Sequence, residues 1–345
     1  MKRGAIVLAA LVAGACSDAL QQDTTEGLVI AVVNSGTNSL SFVNATSFVA
    51  ALSADLTPPT GTPVTLDARG PLVLVPMGSA NVVRAYSFGA VTGPPTISLP
   101  TNSGATGVAI QSDSFAWVAN PNLNSVTRVN YRTGDTLGQR PVGAVPVAVA
   151  IVGPRVFVVN SNAPGGTPVG GSWLTSFNCC GATLKDSIPI TGLNARTVTV
   201  GSDGLLYVVL AGTPGAADGR LSIVDPATRR ELAVVNGLGE SHGAVVYHPS
   251  GRLLIASATE GILEVNTLTR AVTRGPGGGV KPGGAGISGL ALDPRGRVYA
   301  LVPGACVNPG TVHVLSAPPD YSPLKTVTVG VCPAAAALSA VPLLD

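Results

Sequence analysis

Three side chains in the C-terminal half of the chain could act together on a ligand: Arg196, Glu240 and His242. An imidazole can take up or release a proton near neutral pH, and a carboxylate two residues away can orient it. A guanidinium beside them would hold an anionic or polyol ligand. Alternatively, these groups form a structural ion pair or face solvent, where they contribute little. The choice depends on whether the fold brings them to one site.

The histidines argue against a metal centre. The chain has 3 of them, His242, His248 and His313, whereas copper and haem centres need several convergent ligands. His248, in a His-Pro-Ser-Gly turn, is expected to be solvated, and His313 is expected to pack within a strand. Calcium needs about six oxygen ligands, several of them carboxylates, which Asn102 and Asn194 do not supply. We therefore predict no metal ion and no cofactor.

The N-terminal residues carry an export signal. Lys2 and Arg3 precede an apolar stretch, residues 5–12, that is too short to span a bilayer. The Ala-Gly-Ala that follows, directly before Cys16, resembles a bacterial lipobox, in which the thiol receives diacylglycerol and becomes the mature N-terminus. Residues 1–15 are then a signal peptide and residues 16–27 the lipidated Cys and a flexible tether.

This export signal predicts a lipoprotein at the outer membrane or the periplasmic face of the cell envelope. Ordinary signal-peptidase cleavage, giving a secreted or periplasmic protein, is the alternative.

The composition indicates one large all-β domain. Of the 345 residues, 46% are hydrophobic and 11% charged, and 43 Gly and 28 Pro accompany many Val, Ile, Leu and Thr. This combination is typical of short strands joined by turns. Cleavage removes Lys2 and Arg3 from the 20 basic residues, which then equal the 18 acidic ones. With no basic run either, nucleic acid is excluded as a partner.

A repeat runs through residues 28–345. Similar apolar strand ends include residues 31–34 (Ala-Val-Val-Asn), 117–120 (Trp-Val-Ala-Asn) and 157–160 (Phe-Val-Val-Asn). The fourth positions of all such blocks are 34, 77, 120, 160, 210, 257 and 302, so the steps are 43, 43, 40, 50, 47 and 45 residues. A period of about 40–50 residues made of short strands is the signature of propeller blades.

The strand pattern within a repeat gives the architecture. Blade five, for example, has predicted strands at 197–200, 205–210, 221–224 and 231–235. The first strand, 28–33, matches the second strand of a blade, and a spare strand remains at 335–343. We therefore predict an all-β, seven-bladed β-propeller of four-stranded antiparallel blades. The C-terminal strand pairs into the N-terminal blade and closes the ring, which removes open sheet edges.

Several motifs resemble YVTN-type β-propeller repeats. They are Gly-Ala-Val-Pro at 143–146, Val-Phe-Val-Val-Asn at 156–160, and Asn-Ser-Val-Thr-Arg-Val-Asn-Tyr-Arg-Thr-Gly at 124–134. Residues 221–225 repeat the last motif as Leu-Ser-Ile-Val-Asp. The resemblance implies the fold of residues 28–345 and leaves the function open, because propellers host unrelated activities.

Cysteine positions can be read against this topology. Cys306, between the second and third strands of blade seven, and Cys332, just past its fourth strand, lie on the same face, so we predict that they form a disulfide. Cys179 and Cys180 lie on the opposite face about half a ring away, too far for cross-pairing. They form either a vicinal disulfide or a free pair.

The loops suggest where a ligand would bind. In a propeller, the loops between second and third strands and those leading into the innermost strands surround the central channel on one face, here called the mouth face. Its longest loops are residues 161–171, 211–220 and 303–310, rich in Gly, Pro and Ala. We expect a monomer that binds a protein or glycan partner without catalysis. The alternative is a hydrolase or lyase of the lactonase type that uses His242, Arg196 and Glu240.

Overall fold

The computed structural model describes residues 26–88, 96–180, 185–240 and 242–342. Seven four-stranded antiparallel sheets form the blades of a ring, so the predicted fold is confirmed. The predicted signal peptide, the lipidation site Cys16 and nearly all of the tether lie outside these ranges. Within them, no helix has the length and apolar character needed to cross a bilayer.

The strands follow one another blade by blade. Blade one contains β1 Glu26–Asn34, β2 Ser39–Asn44 and β3 Ala50–Asp55; blade two contains β4 Asp67–Arg69, β5 Leu72–Pro76, β6 Val82–Ser87 and β7 Thr96–Ser98. Blade three contains β8 Val108–Ile110, β9 Phe115–Asn120, β10 Ser125–Asn130 and β11 Asp135–Pro141; blade four contains β12 Pro146–Val152, β13 Arg155–Asn160, β14 Trp173–Asn178 and β15 Asp186–Pro189. Blade five contains β16 Ala195–Val200, β17 Leu206–Leu210, β18 Gly219–Asp225 and β19 Arg230–Gly239; blade six contains β20 His242–His248, β21 Arg252–Ser257, β22 Gly261–Asn266 and β23 Ala271–Arg274. Blade seven contains β24 Gly289–Leu292, β25 Val298–Val302, β26 Pro309–Leu315 and β27 Pro323–Val331, and β28 Pro333–Pro342 returns to blade one. Single turns of 3-10 helix occur at Pro121–Leu123, Pro164–Gly166 and Pro282–Gly284.

The closing strand β28 pairs antiparallel with β1, as predicted, with Ile30 opposite Leu338. It is also bonded to both neighbouring blades. Ser288 Oγ of blade seven donates to the Pro333 carbonyl at 2.6 Å, and Ser339 Oγ donates to the Gly70 carbonyl of blade two at 2.8 Å. The last strand therefore holds three blades together.

The core lies between the blades. Second strands such as β9 and β13 are buried at nearly every position because both of their faces pack against an adjacent sheet. Trp117, Tyr207 and Tyr299 are among the largest fully buried side chains. Trp117 also packs edge-on against Phe177, with ring centroids 5.1 Å apart.

Asparagines that end second strands are structural. Asn34, Asn120 and Asn160 stand next to turn residues in the sequence, where solvated turn positions would be expected. Each is instead the last residue of its strand and is 0% exposed. Each donates its amide to a hydroxyl on the third strand of its own blade: to Ser41 Oγ at 2.9 Å, to Thr127 Oγ1 at 2.8 Å and to Thr175 Oγ1 at 3.0 Å, respectively. A buried amide needs such partners, so these residues fix the blades rather than bind ligand.

A second set of asparagines joins neighbouring blades at the mouth face. Asn38, Asn81 and Asn124 have positive φ angles of 47°, 55° and 49°, which Asn tolerates better than most residues. The side-chain oxygen of each accepts a bond from the next blade: from Gly61 N at 3.3 Å, from Ser103 Oγ at 3.1 Å and from Val145 N at 2.9 Å. These bonds hold the mouth-face loops of the first four blades in place.

His248 is also structural, and the expectation that it is solvated is wrong. Its side chain is 5% exposed, and Nε2 donates to the carbonyl of Gly296 at 3.0 Å. Nδ1 accepts from the backbone N–H of Ser250 at 3.1 Å. The ring links blade six to blade seven. His313 is half-buried on β26, as expected for a packing residue.

Candidate functional site

A central channel of about 660 Å³ runs between the innermost strands of all seven blades. Its wall is mostly Val, Ala, Thr and Gly. One charged side chain in the wall, Asp67, already has partners, since Oδ2 accepts from the backbone N–H of Ile110 at 2.7 Å and Oδ1 from that of Ala68 at 2.9 Å. Burial raises the pKa of Asp67. The carboxylate of Asp67 is therefore already engaged by the channel wall itself.

Arg196 supplies a free positive charge at the mouth. It lies in a bulge of β16, where pairing with β17 shifts between Ala195 and Thr197, and a bulge re-aims a side chain. No hydrogen bond or ion pair joins its guanidinium to another described residue. A Cβ placed on Gly166 would lie 3.4 Å from Nη2, so the guanidinium reaches the blade-four loop. Arg196 is solvent-exposed, but partial enclosure by the channel still lowers the pKa of its guanidinium.

His242 begins the next innermost strand, but its ring turns away from the open mouth. The side chain is 6% exposed, and Nε2 donates to the carbonyl of Leu238 at 2.8 Å. A Cβ at Gly219 would lie 2.2 Å from His242 Cε1, so only glycine leaves room for the ring. Nδ1 is buried without a hydrogen-bond partner among the described residues. Burial lowers the pKa of His242, which keeps the imidazole neutral.

Glu240 is also engaged. Its carboxylate accepts from the backbone N–H of Gly215 at 3.0 Å, across to the blade-five loop. Glu240 acts on His242 only electrostatically: its negative charge raises the pKa of the imidazole. Burial lowers that pKa more strongly. No ion pair connects Glu240 with Arg196 in the described part of the chain. The three predicted residues thus lie on one face, but only Arg196 presents its functional group to a ligand.

Asn194 organises the surface around Arg196, a role that the sequence analysis missed. It is 2% exposed with φ 55°, and it bonds to the mouth-face loops of blades four and five. Its Nδ2 donates to the carbonyls of Gly166 and Gly212, both at 3.3 Å, while Oδ1 accepts from Ser161 Oγ at 3.3 Å. Two adjacent loops are therefore held as one continuous surface, with Arg196 at its inner edge.

The mouth face exposes apolar residues on its long loops. Val169 is 70% exposed in the blade-four loop and Val307 is 75% exposed in the blade-seven loop. Within the described ranges, no three His, Cys, Asp or Glu side chains come close enough to hold a metal ion. The face combines long loops, scattered apolar groups and the guanidinium of Arg196, an arrangement suited to binding.

Comparison with solved structures supports the fold. The chain aligns with hydrazine synthase of Kuenenia stuttgartiensis over 80% of its own length and 89% of that chain, at 17% identity and a TM-score of 0.63. For apo AztD from Citrobacter koseri the shares are 91% and 98%, with 13% identity and a TM-score of 0.59. For virginiamycin B lyase from Staphylococcus aureus they are 79% and 85%, with 12% identity and 0.58. At these identities the likeness shows a shared propeller fold alone.

Sequence comparisons add nothing to this. No protein-family model matches the chain, and no curated protein matches it either.

The cysteines form two pairs. The Sγ atoms of Cys306 and Cys332 lie 1.94 Å apart, a disulfide, at the point where the chain passes from blade seven into β28. The backbone N–H of Ser35 donates to the carbonyl of Cys332 at 3.0 Å and connects this point to blade one. The Sγ atoms of Cys179 and Cys180 lie 2.8 Å apart as free thiols.

Proposed function

We propose that this chain is a cell-envelope lipoprotein, anchored through Cys16, whose β-propeller binds a protein or glycan partner at the mouth face without catalysis. The observation that carries the binding proposal is the clamped surface around Asn194 and Arg196. A surface held in place before binding loses little conformational entropy when a partner docks. The unpaired guanidinium of Arg196 supplies a charged contact for a carboxylate or another acceptor on that partner.

The course of the chain suits an anchored binding module. Glu26 lies opposite Pro342 at the start of β1, on the face away from the mouth, because β1 runs towards the mouth and ends at Asn34. A lipid on Cys16 would therefore hold the opposite face towards the bilayer. The mouth face would then point away from the membrane, where a partner can reach it.

The alternative, a lactonase-type hydrolase or lyase, has less support in the geometry. It would require the buried Nδ1 of His242 to reach a substrate and the carboxylate of Glu240 to leave Gly215. The fold likeness to virginiamycin B lyase, at 12% identity, does not carry an activity to this chain. Binding needs no such rearrangement.

Replacement of Arg196 tests the binding surface. Detergent-solubilised full-length protein is cross-linked in an envelope extract of its own cell, and captured proteins and glycans are identified. With the partner in hand, Arg196→Ala is expected to raise Kd by about tenfold, because an interfacial charged contact is lost. The matched control is Arg295→Ala, an exposed arginine in the turn between β24 and β25 on the opposite face. Equal Kd values for the two variants would place the contact elsewhere.

Lipid attachment is tested by metabolic labelling. Cells expressing the wild-type chain and a Cys16→Ala variant are grown with labelled palmitate, and both proteins are fractionated. We expect label and membrane association in the wild type, and both lost in Cys16→Ala, because the thiol is the acylation site. An unlabelled wild-type protein in the soluble fraction would favour plain secretion and would leave the binding experiment unaffected.

A further inference from the structure

The adjacent cysteines Cys179 and Cys180 follow β14 on the face opposite the mouth. Their Sγ atoms are 2.8 Å apart, between the bonded distance of about 2.05 Å and the contact distance of two free thiols. Cys179 is 8% exposed and packs in the core between blades three and four, whereas Cys180 is exposed. One sulfur is open to solvent and the second lies directly behind it.

The surroundings of Cys180 suit a thiolate. Gln111 Nε2 lies 3.6 Å from Cys180 Sγ, and Gln111 Oε1 accepts from Trp117 Nε1 at 3.0 Å. The Trp117 bond fixes the orientation of the amide, because indole N–H is only a donor and must face the oxygen. The N–H₂ group is thereby directed at the exposed sulfur, where it can stabilise a negative charge.

An arginine side chain brings positive charge close to the cysteine pair. The guanidinium of Arg140 lies over the rings of Trp117 and Phe177 at 5.6 and 5.0 Å, beside the strand that leads into the pair. The hydrogen bond from the Cys179 thiol lowers the pKa of the Cys180 thiol. The amide of Gln111 and the charges of Arg128 and Arg140 lower it further. Burial raises the pKa of Cys179. The exposed sulfur is therefore the one that ionises first, and the buried sulfur stays protonated behind it.

We propose that Cys179 and Cys180 form a reversible thiol–disulfide exchange site for low-molecular-weight disulfides, with Cys180 attacking and Cys179 resolving. The Cys180 thiolate attacks one sulfur of the incoming disulfide, a new S–S bond forms, and one thiolate leaves. The Cys179 thiol then loses its proton to solvent and attacks Cys180 Sγ. A vicinal disulfide forms and the second thiolate leaves, so two electrons pass from the pair to the added disulfide.

The other cysteines in the described part of the chain do not compete. Cys306 and Cys332 are already bonded to each other, so Cys179 and Cys180 supply the free thiols among the described residues. Trp117 provides a reporter, because its indole donates to the amide that touches Cys180. The chain has 2 tryptophans, and replacing Trp173 with Phe would leave Trp117 as the single tryptophan, which can be excited selectively.

The test uses glutathione disulfide on the full-length protein, with intact mass and peptide mapping as readouts. In the wild type we expect loss of two hydrogens at residues 179–180 and no retained glutathione. Cys179→Ser should instead retain one glutathione on Cys180, because the resolving thiol is absent. Cys180→Ser should react at least about tenfold more slowly than the wild type, because the remaining thiol of Cys179 is buried and its pKa is raised.

A positioning role for Gln111 is tested by the pH profile of the reaction. Gln111→Leu should move the midpoint of the rate profile to higher pH, whereas Gln139→Leu, whose amide bonds Ser125 and neither cysteine, should leave it unchanged. The proposal is overturned if the wild type keeps a stable glutathione adduct, or if both Cys→Ser variants react at the same rate. If a variant does not fold, as judged by circular dichroism, the wild-type adduct and its mapped position still decide the matter.

Discussion

Deletion of residues 333–345 is expected to abolish stable folding of the propeller. The deletion removes β28, which supplies the innermost strand of blade one and nine paired positions along β1. It also removes the hydrogen bonds to Gly70 and from Ser288 that join blade one to its neighbours. At about 1 kcal/mol for each net hydrogen bond, the loss is on the order of 10 kcal/mol, comparable with the whole stability of a typical domain.

The exposed edge adds a second penalty. Without β28, the edge of β1 presents unpaired N–H and C=O groups and the apolar residues Ile30 and Val32, which would recruit other chains. The experiment compares expression, solubility and cooperative thermal unfolding of three proteins: full length, residues 1–332 and residues 1–342. The protein of residues 1–342 keeps the whole of β28, so its solubility and melting temperature should match those of the full-length protein. A 1–332 protein that is soluble and melts within a few degrees of full length would show that the ring does not depend on this strand.

The blade architecture was predictable because it depends on a repeated pattern. Each second strand carries an apolar run that ends near a turn, and the run recurs at steps of 40 to 50 residues. The unmatched first strand and the spare last strand then specify the closure. These features are local in sequence, so spacing alone reveals them.

The side-chain roles were less predictable, because they depend on partners in other strands. Asn120 stands next to a turn in sequence, yet the hydroxyl of Thr127 on the neighbouring strand draws its amide into the core. The same spacing, an Asn followed seven residues later by a hydroxyl, recurs at Asn34 and Ser41. This repeated spacing is a sequence signal for the buried hydrogen bond. His242 is the first residue of the innermost strand β20. The bulge between His242 and Val245, and the space left by Gly219, decide where its ring points, and sequence spacing does not reveal either.

Glu264 is a buried carboxylate with a full set of partners, and its removal should be costly. It is 3% exposed on β22. It accepts bonds from Arg252 Nε at 3.0 Å, Thr273 Oγ1 at 2.6 Å and Tyr321 OH at 2.5 Å. Tyr321 belongs to blade seven, so the network links two blades.

Glu264→Ala is expected to lower the free energy of unfolding by about 4 kcal/mol, measured by urea denaturation. The substitution leaves the partly buried guanidinium of Arg252 and the hydroxyl of Tyr321 without their acceptor. The matched control is Glu260→Ala in the same blade. Glu260 is more exposed, and its carboxylate lies 3.5 Å from Lys281 Nζ. A pair of that kind is worth at most about 1 kcal/mol, so equal losses for the two variants would contradict the network.

The pH dependence gives an independent check. Burial alone would raise the pKa of Glu264, but the bonds from Thr273, Tyr321 and Arg252 outweigh it and hold the pKa below its usual range. A carboxyl whose pKa is lower in the folded state stabilises the protein at pH values above its unfolded pKa of about 4.3, and that stability is lost as the pH falls through the folded value. The stability difference between wild type and Glu264→Gln should therefore be full at pH 7 and should shrink below about pH 4. A difference that stays constant down to pH 2 would mean that the charge of Glu264 contributes nothing and that only its shape matters.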